Sequence, residues 1–469
     1  MVALGAGPAG LAAAYDLSVR HGVKCLMVER KACAGGLCET IERGGFRFDI
    51  GPHRFFTKNT RVEALWSEVL GDDFIERPRK TRIHYEDVFF DYPLKPFDVA
   101  WKLGLIRSAG AALSYFKRHL FPLSPEDGFE NWVRNRFGDT LYEIFFEGYT
   151  RKVWGVDPSS IDAEWAAQRI RALSLGKMLW QIVSPSPKHA SLVSKFHYPR
   201  LGAGMMYETM ARKIEESGSR ILLEREVSGL ELDGDGCVEA VSFSSPEGGN
   251  KRVEVGKEGW VVSSVPLDCL ARFLAEAGDF PGLAEAASNL RYRSLVTVEV
   301  AASKRPPVDD NWIYLNSDDV RAGRMSLFHN WSPEMVPSPD AASICLEYFV
   351  DEGDEIWNAS DERLFSMAMD DLSKLGFAKD VPDDSQFAVV RYSKAYPCYF
   401  GEYKKNLAAI RKAVDSVPNL IPVGRYGQFR YNNMDHSVET GLIAAEMVMG
   451  AERDPWAVNE DAEYHEEKK

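Results

Sequence analysis

The chain has 469 residues, of which 45% are hydrophobic and 12% aromatic, so it has enough apolar material for two or three domains. Its formal net charge of -14 excludes broad nucleic-acid binding, which needs a basic surface, although local arginines can still bind an anionic substrate. No apolar run approaches the ~20 residues of a membrane span, and the seven cysteines contain no CxxC pair. We therefore expect a reduced, cytoplasmic chain without a membrane span, a metal site or a disulfide framework.

The first predicted elements surround a glycine-rich turn, GAGPAG at residues 5–10, which has the GxGxxG pattern. A short apolar strand precedes the turn, an alanine-rich helix follows it, and the next strand ends at Glu29. Such glycines permit a tight turn and let backbone amides approach a pyrophosphate, while an acid at the second strand accepts hydrogen bonds from ribose hydroxyls. This context favours a dinucleotide site over an ordinary turn. Its expected residues are Gly5, Gly7, Ala9, Gly10 and Glu29.

Paired glycines and an FD-x-G-x-H stretch follow Glu29, in the segments RKACAGGL at residues 30–37 and FRFDIGPH at residues 46–53. The arrangement resembles the flavoprotein superfamily that contains amine oxidases, protoporphyrinogen oxidases, phytoene desaturases and UDP-galactopyranose mutases. In that superfamily the paired glycines lie along FAD, and the FD-x-G-x-H stretch passes close to the isoalloxazine. The resemblance therefore implies non-covalent FAD. Its expected contacts here are Arg30, Gly35, Gly36, Leu37, Gly51 and His53.

The middle of the chain changes pattern twice. Residues 96–195 have helical patterns, whereas residues 290–400 alternate like strands and contain one helix near residues 361–375. Residues 220–265 read as several strands, and the last of them leads into an S-x-P step that resembles the superfamily's exit from its FAD domain. We predict a mixed α/β fold with a Rossmann-like FAD-binding domain of the glutathione-reductase type, a helical insertion and a sheet-based substrate domain. The predicted boundaries are 1–95, 200–265 and 405–450 for the discontinuous FAD domain, 96–199 for the insertion, 266–404 for the substrate domain and 451–469 for an acidic tail.

Near the C-terminus, a short strand at residues 420–423 precedes a polar loop, and a helix with one apolar face is predicted from Val438. Polar residues at a helix start often only cap it, and Asp435 or Ser437 could do that. In the resembled flavoproteins, this strand–loop–helix brings backbone amides near the flavin pyrimidine and ribityl chain. The resemblance implies further FAD contacts from Val227, Gly424, Asp435, His436 and Ser437.

Several other patches resemble UDP-galactopyranose mutases, particularly the longer eukaryotic kind, and the resemblance extends thinly over nearly the whole chain. The patches include KVWGV at 152–156, RMSLFHNWSP at 324–333, AYP at 395–397 and GRYGQFRY at 424–431. In that family the matching arginines and tyrosines grip the substrate diphosphate, and the K-V-W segment borders the uridine pocket. The implied substrate contacts are Arg324, Tyr396, Arg425 and Tyr431 as a diphosphate clamp, with Trp154 and Asn432 beside them and Arg200 as a candidate match to a mobile arginine.

The chain also departs from the mutase pattern. Pro52 replaces a glycine, Met434 replaces a glutamine, Thr150 stands where an asparagine is expected, and the segment around Arg200 is one residue shorter. These changes leave the base and the sugar open. The two histidines of the motifs have alternative interpretations, because histidine titrates near neutrality but is often only a hydrogen-bonded structural residue. His53 is the candidate catalytic residue, whereas our first interpretation of His436 is that it holds the loop in shape.

The resemblance implies a FAD-dependent enzyme that acts on a nucleotide sugar. In the mutase-like reaction, reduced flavin N5 attacks the anomeric carbon, and pyranose and furanose forms interconvert without net redox change. NAD(P)H is the candidate reductant. One alternative is a net oxidation of the amine oxidase or protoporphyrinogen oxidase type. Another is a non-catalytic protein like the GDP-dissociation inhibitors, although the complete glycine pattern, Glu29 and the C-terminal loop argue against it; the oligomeric state stays open.

Overall fold

The computed structural model describes residues 1–163, 195–246, 248–381 and 385–459. Five parallel strands form a sheet whose central strand leads directly into the glycine-rich turn. The three strands at its centre and one edge are fully buried, which explains their mainly apolar sequences. In spatial order the strands are Leu420–Pro422, Val261–Ser263, Val2–Leu4, Leu26–Val28 and Arg220–Leu222.

Two apolar cores cover the opposite faces of this parallel sheet. Ala3 and Met27 point into one core, while Val2, Leu4 and Val28 point into the other, as the period-two alternation of a strand requires. The first core includes the helices Pro8–Tyr15, Thr60–Leu70, Gly204–Glu216 and Met434–Val448. The second includes the helices Leu267–Ala277, Leu283–Ser288 and Tyr403–Asp415, and the antiparallel strands Val227–Leu232, Val238–Ser244 and Asn250–Glu254. This layered arrangement confirms the predicted Rossmann-like, mixed α/β fold.

A second, seven-stranded sheet holds most of the strands predicted between residues 290 and 400. One of its faces packs an apolar core against the helix Asp361–Lys374, while the other carries buried polar side chains, among them Thr297, Glu299 and Glu347. In spatial order its strands are Gln386–Pro397, Tyr292–Ala302, Ala342–Val350, Arg324–Leu327, Trp312–Leu315, Thr81–Tyr85 and Val88–Asp91.

The sheet membership of residues 81–91 differs from the predicted boundary at residue 95. Thr81–Tyr85 runs parallel to Trp312–Leu315 and pairs with Val88–Asp91 as a hairpin, so both strands extend the seven-stranded sheet. The prediction had placed these residues in the FAD domain, because no local pattern identifies a partner strand more than 200 residues away. The remaining domain boundaries stay a prediction.

The predicted insertion at residues 96–199 is helical from Pro96 to Trp154 in its described part. Its helices are Pro96–Leu120, Phe129–Phe137, Asp139–Tyr142 and Gly148–Trp154, with a π-helical turn at Glu143–Glu147. The helical pattern predicted over residues 163–175 lies almost entirely outside the described residues. Two further antiparallel pairs are formed by Thr40–Arg43 with Phe46–Asp49 and by Phe74–Pro78 with Lys195–Pro199.

The C-terminal helix begins at Met434, four residues before the predicted start at Val438. Asn433 occupies the N-cap position, and its amide N–H donates to Nδ1 of His436 at 3.3 Å in a capping box. The expected caps, Asp435 and Ser437, lie instead inside the first turn. The sequence misled here because the first turn lacks the apolar stripe by which the rest of the helix is recognised.

This C-terminal helix packs tightly against the helix Pro8–Tyr15. A Cβ atom at Gly441 would lie 2.1 Å from the backbone oxygen of Ala9, and one at Gly424 would lie 2.9 Å from the Ala9 Cβ. Gly424 also has φ of 76°, in the left-handed region that favours glycine. Both glycines are therefore required for the two chain ends to meet.

We expect Gly441→Ala to lower the free energy of unfolding by about 1–3 kcal/mol, because the added methyl group meets backbone that cannot move aside easily. Gly110→Ala is the matched control, since Gly110 is also helical and a Cβ there meets nothing within 4 Å. That control should be neutral or up to about 1 kcal/mol stabilising. Denaturant unfolding of both variants tests the contact, and an unchanged Gly441→Ala would disprove the tight packing.

Candidate active site

A continuous cleft lies between the two sheets. It is lined by Gly7, Ser264 and Gly424, each just beyond the C-terminal end of a parallel strand, and on the other side by Tyr314, Arg324 and Tyr396 of the seven-stranded sheet. The carboxyl ends of parallel strands are the usual ligand-binding edge of a doubly wound sheet. The cleft therefore joins the predicted dinucleotide end to the predicted substrate residues.

The glycine-rich end of the cleft is built for close backbone approach. A Cβ at Gly10 would lie 2.2 Å from the Gly5 oxygen, and a Cβ at Gly5, whose φ is 102°, would lie 2.4 Å from Ser264 Oγ. Gly36 faces Gly7, where an added Cβ would come within 3.1 Å of the Gly7 Cα. The helix Pro8–Tyr15 begins here, and among the described residues no side chain caps it. Its open amides and positive dipole end suit a pyrophosphate.

Not every predicted dinucleotide residue reaches the cleft. Gly7, Ala9, Gly36 and Leu37 line it, whereas Gly5, Gly10 and Gly35 shape the turn beneath. The Gly35 amide, for example, donates to the Ala6 oxygen at 2.8 Å. The turn is thus held by its own backbone, which leaves the N–H groups of the helix start for a ligand.

Glu29 supports the same turn from its strand. It is buried, and its carboxylate accepts from the Ala6 amide at 2.7 Å and from the Lys31 amide at 2.9 Å. Each oxygen retains acceptor capacity for a ribose hydroxyl. Arg30 is exposed and does not line the cleft. Val227 opens a strand two residues after Arg225, whose amide donates to the Glu29 backbone oxygen at 2.8 Å, so it lies on the Glu29 side.

The C-terminal loop and helix start contribute Gly424, Asp435 and Ser437 to the cleft. The Gly424 amide donates to Thr440 Oγ1 at 3.0 Å, which fixes the loop to the helix. His436 does not line the cleft, and its Nδ1 accepts from the Asn433 amide as described above. The geometry therefore agrees with our first interpretation of His436 as a residue that holds the loop in shape.

His53 lies in the cleft wall and is half-buried, and its Nδ1 is buried without a hydrogen-bond partner among the described residues. Desolvation, together with the positive charges of Arg425 and Arg324, lowers the pKa of His53 to about 3. The imidazole is therefore neutral at physiological pH. Gly51, two residues earlier, has φ of 81° and leaves room for Glu347, whose Oε2 would lie 3.0 Å from an added Cβ.

Three of the four predicted clamp residues form one cluster. The rings of Tyr396 and Tyr431 stack at 5.5 Å, and the Arg425 guanidinium lies 5.3 Å and 4.8 Å from their respective centroids. Arg425 donates to the backbone oxygens of Asn432 at 3.0 Å and Ala395 at 3.2 Å, so its partners are carbonyls and not Asp435. Among the described residues no carboxylate pairs with it. Its positive charge therefore stays available to an anion in the cleft.

Arg324, the fourth predicted clamp residue, is differently placed. It lines the cleft, but its Nε donates to Glu347 Oε1 at 2.6 Å and its Nη2 donates to Oε2 of the same carboxylate. Glu347 is fully buried, so this is an internal ion pair and not a surface one. The single glutamate in the otherwise apolar strand SICLEYFV was the signal for such a buried partner.

The remaining predicted substrate residues divide into two groups. Asn432 lines the cleft, and its side chain donates to Gln428 Oε1 at 3.2 Å. Trp154 is buried in the core behind the cleft and does not line it. Arg200 also lies outside the cleft, because it forms ion pairs with Asp73 at 3.1 Å and Glu334 at 3.0 Å. The structure thus does not bring Trp154 or Arg200 to the clamp.

The sequence reasoning missed the aromatic end of the cleft. This end is lined by Ile83, Tyr92, Leu94, Phe129, Phe145, Phe146, Tyr149 and Tyr314. Four of these residues, Phe129, Phe145, Phe146 and Tyr149, lie in segments that were interpreted only as helical. Lys152 of the KVW motif donates to the backbone oxygens of Leu315 at 2.8 Å and Ser317 at 2.6 Å, and burial lowers its pKa to about 8. It therefore ties the helix Gly148–Trp154 to the sheet.

In the described part of the chain, no group of three or more His, Cys, Asp or Glu side chains could hold a metal ion. No helix in that part is long and apolar enough to cross a membrane.

Comparison with known proteins identifies the family. The model of the flavin-containing amine oxidoreductase family matches residues 8–449. The chain is 24% identical over 333 residues to protoporphyrinogen oxidase 1, chloroplastic, of Arabidopsis thaliana. The aligned segment covers 65% of this chain and 59% of that protein. It is 28% identical over 167 residues to dTDP-fucopyranose mutase of Escherichia coli. This aligned segment covers 34% of this chain and 43% of that protein. The chain thus matches less than two thirds of the length of these curated relatives.

Solved structures share the whole fold. A crystal structure of reduced UDP-galactopyranose mutase superposes with a TM-score of 0.80 at 21% identity and covers 98% of this chain and 97% of that one. An oxidoreductase from Methanosarcina mazei superposes with a TM-score of 0.60 at 15% identity and covers 94% of this chain and 99% of that one. At these identities the likeness establishes the architecture alone.

The residues of the glycine-rich end fit FAD in three respects. The tight turn leaves no room for a side chain at Gly5 or Gly10, the uncapped helix start offers amides to a pyrophosphate, and Glu29 retains acceptors for a ribose. The family match covers almost the whole chain, from residue 8 to residue 449. This chain therefore belongs to the flavin-containing amine oxidoreductase family and is a FAD-dependent enzyme.

Proposed function

We propose that this enzyme acts on a nucleotide sugar in a redox-neutral reaction like that of UDP-galactopyranose mutase. The observation that carries the proposal is the Arg425–Tyr396–Tyr431 cluster in the same cleft as the glycine-rich turn. An arginine that keeps its charge beside two phenol hydroxyls suits a diphosphate, since charge-assisted and bidentate hydrogen bonds to phosphate are strong. Such a cluster also explains how a chain of net charge -14 can hold an anion.

The two arginines then have different roles. Arg425 supplies the net positive charge, because its hydrogen-bond partners are neutral carbonyls. Arg324 is already neutralised by Glu347 and contributes hydrogen-bond geometry rather than charge. The aromatic end of the cleft, including Tyr92 and Phe146, offers flat apolar surface to a nucleobase.

Reduced FAD would supply the electron-rich centre for reaction at the anomeric carbon. His53 would act there as a neutral hydrogen-bonding group, because its low pKa disfavours an imidazolium acid at physiological pH. Ile50 lines the same cleft and is buried, which limits water near that end of the site.

Two similarities support a sugar substrate. One relative is named as a dTDP-fucopyranose mutase, and the superposed crystal structure is that of a reduced UDP-galactopyranose mutase. The base and the sugar stay open. We also propose a cytoplasmic location, which the free thiols of all seven cysteines support.

An oxidase is the second candidate. The aromatic lining of the cleft suits an apolar substrate, and the matched segment of protoporphyrinogen oxidase covers 65% of this chain. The two functions differ in the charge of the substrate and in the fate of the flavin electrons. Membership of the flavin family favours either enzyme over a non-catalytic binding protein.

Binding to dithionite-reduced enzyme tests the proposed substrate class. Titration with UDP, dTDP, GDP and ADP, followed by flavin fluorescence, should give saturable binding of at least one nucleoside diphosphate. The same nucleotide should compete with the matching nucleotide sugar. An enzyme that binds none of the four, yet whose oxidised flavin is reduced by an apolar amine or a porphyrinogen, would be an oxidase.

We expect Arg425→Ala to weaken nucleotide binding about ten- to a hundredfold, because a charge-assisted hydrogen bond contributes about 1.5–3 kcal/mol. FAD content should remain close to the wild-type level, since the pyrophosphate-binding helix start is a separate element. Arg200→Ala is the matched control, because this arginine is ion-paired outside the cleft. Equal losses in the two variants, or loss of FAD and stability without a specific loss of nucleotide binding, would mean that Arg425 is only structural.

The neutral state of His53 predicts a pH-dependent difference between the wild type and His53→Asn. The folded-state pKa, about 3, lies below the ~6.5 of an unfolded histidine, so folding favours the neutral form. The histidine's contribution to stability is therefore full above about pH 6.5 and declines as pH falls from there toward 3, by up to ~1.4 kcal/mol per pH unit. Denaturant unfolding of the wild type and of His53→Asn at pH 8, 6 and 5 in excess FAD measures this pH-dependent difference in the free energy of unfolding.

His119→Asn serves as the control, because His119 is exposed. A pH-dependent change in stability that occurs in His53→Asn but not in His119→Asn comes from the imidazole in the cleft and not from the loss of any histidine. If the difference between wild type and His53→Asn does not change with pH, His53 is solvated in the folded enzyme and the assignment of a neutral group fails.

A further inference from the structure

The helix Pro96–Leu120 carries most of the exposed apolar surface of the molecule. Eight of the ten large hydrophobic side chains that are exposed among the described residues lie between residues 97 and 121. Trp101, Leu105 and Ile106 are 87%, 92% and 90% exposed. The other five are Phe97, Leu113, Phe116, Leu120 and Phe121. An apolar patch of this extent marks an interaction surface.

These side chains share one side of the helix. The helix is interrupted at Gly104, whose φ of 75° and ψ of 169° are not helical. Beyond this break, at 100° per residue, Leu105, Ile106, Leu113, Phe116 and Leu120 fall within a stripe roughly 100° wide. Ala109 lies in the same stripe, Ala112 lies about 20° outside its edge, and both are exposed.

After Gly104, the opposite side of the helix, which packs on the protein, carries polar and small residues. Arg118 Nε donates to Asp139 Oδ1 at 2.8 Å, and Ser114 Oγ accepts from the Thr140 amide at 3.3 Å. Ala111 is the buried residue of this side. The helix is therefore reversed relative to an ordinary surface helix, which turns its apolar stripe toward the core. Its exposed stripe needs an apolar environment from outside.

The charge on this helix favours a lipid surface. Residues 95–121 carry five Lys or Arg and a single Asp, in a chain whose net charge is -14. The exposed Lys95, Arg107 and Lys117 pair with acids, but their side chains are 68%, 53% and 59% exposed. Exposed ion pairs are weak, so these cations can turn to phosphate groups instead. Two copies of this helix face to face would bring like charges together, whereas anionic headgroups are complementary.

We propose that the helix Pro96–Leu120 is an interfacial anchor that lies on an anionic bilayer, with its apolar stripe inserted about 5–10 Å into the headgroup region. The inner residues Val99 and Leu103 pack in one cluster with Leu94 and Phe146, which line the aromatic end of the cleft. The bound bilayer therefore adjoins that end of the active site. The inference does not depend on the identity of the substrate.

Sedimentation of the full-length holoenzyme with vesicles tests the anchor. Phosphatidylcholine vesicles containing phosphatidylglycerol should bind the wild type, and pure phosphatidylcholine vesicles should bind it more weakly. The combined variant Trp101→Ser, Leu105→Ser, Ile106→Ser, Phe116→Ser should lose at least tenfold in partitioning, while its melting temperature in lipid-free buffer stays unchanged. Met449→Ser is the matched control, because Met449 is 53% exposed on another helix end, and it should bind like the wild type.

Three results would overturn the proposal. The wild type could fail to bind either vesicle. Light scattering could show a dimer that the combined variant abolishes, in which case a second copy covers the stripe. The combined variant could melt at a lower temperature without lipid, in which case the chain itself covers the stripe. Lys117→Gln separates the charge contribution, because it should weaken binding to the anionic vesicles and leave binding to the neutral vesicles unchanged.

Discussion

The contact between the first and last helices of the sheet domain is the constraint on which the site depends. Gly441 meets the backbone of Ala9, and Gly424 meets its side chain, so the helices Pro8–Tyr15 and Met434–Val448 approach without intervening side chains. The same approach sets the loop that carries Arg425 and Tyr431 over the glycine-rich turn. Residues more than 400 positions apart in sequence thereby line one cleft with Gly7. A larger residue at either glycine would move the C-terminal loop away from the dinucleotide end.

The two arginines of the cleft have different electrostatic surroundings. The buried pair Arg324–Glu347 closes the floor beside Gly51, and loss of either partner would leave an uncompensated buried charge. Arg425 has only neutral partners, so its charge can act on a ligand. Desolvation and the charges of both arginines keep His53 neutral, and the contribution of Arg425 links the anion site to the protonation state of the imidazole. An anion bound near Arg425 would offset that charge and raise the His53 pKa toward its ordinary range.

Local signals predicted the dinucleotide end well, because the glycine turn, its flanking strand and helix, and Glu29 are all determined by short-range geometry. Alternation likewise predicted the strands of the second sheet. It could not show that residues 81–91 join that sheet, because pairing across more than 200 residues leaves no local pattern. The clamp was predicted from the resemblance alone. That resemblance did not reveal that Glu347 neutralises Arg324 or that Arg200 pairs with Asp73 outside the cleft.

We propose above that the flavin acts on a nucleotide sugar without net redox change. The most direct measurement is anaerobic incubation of the reduced enzyme with a panel of UDP- and dTDP-linked pyranoses, with the sugar products resolved by NMR and the flavin absorbance recorded throughout. We expect one pyranose to be converted to an isomer of the same mass over many turnovers while the flavin stays reduced. Failure of every sugar to isomerise, together with stoichiometric reduction of the oxidised flavin by an apolar substrate, would contradict it.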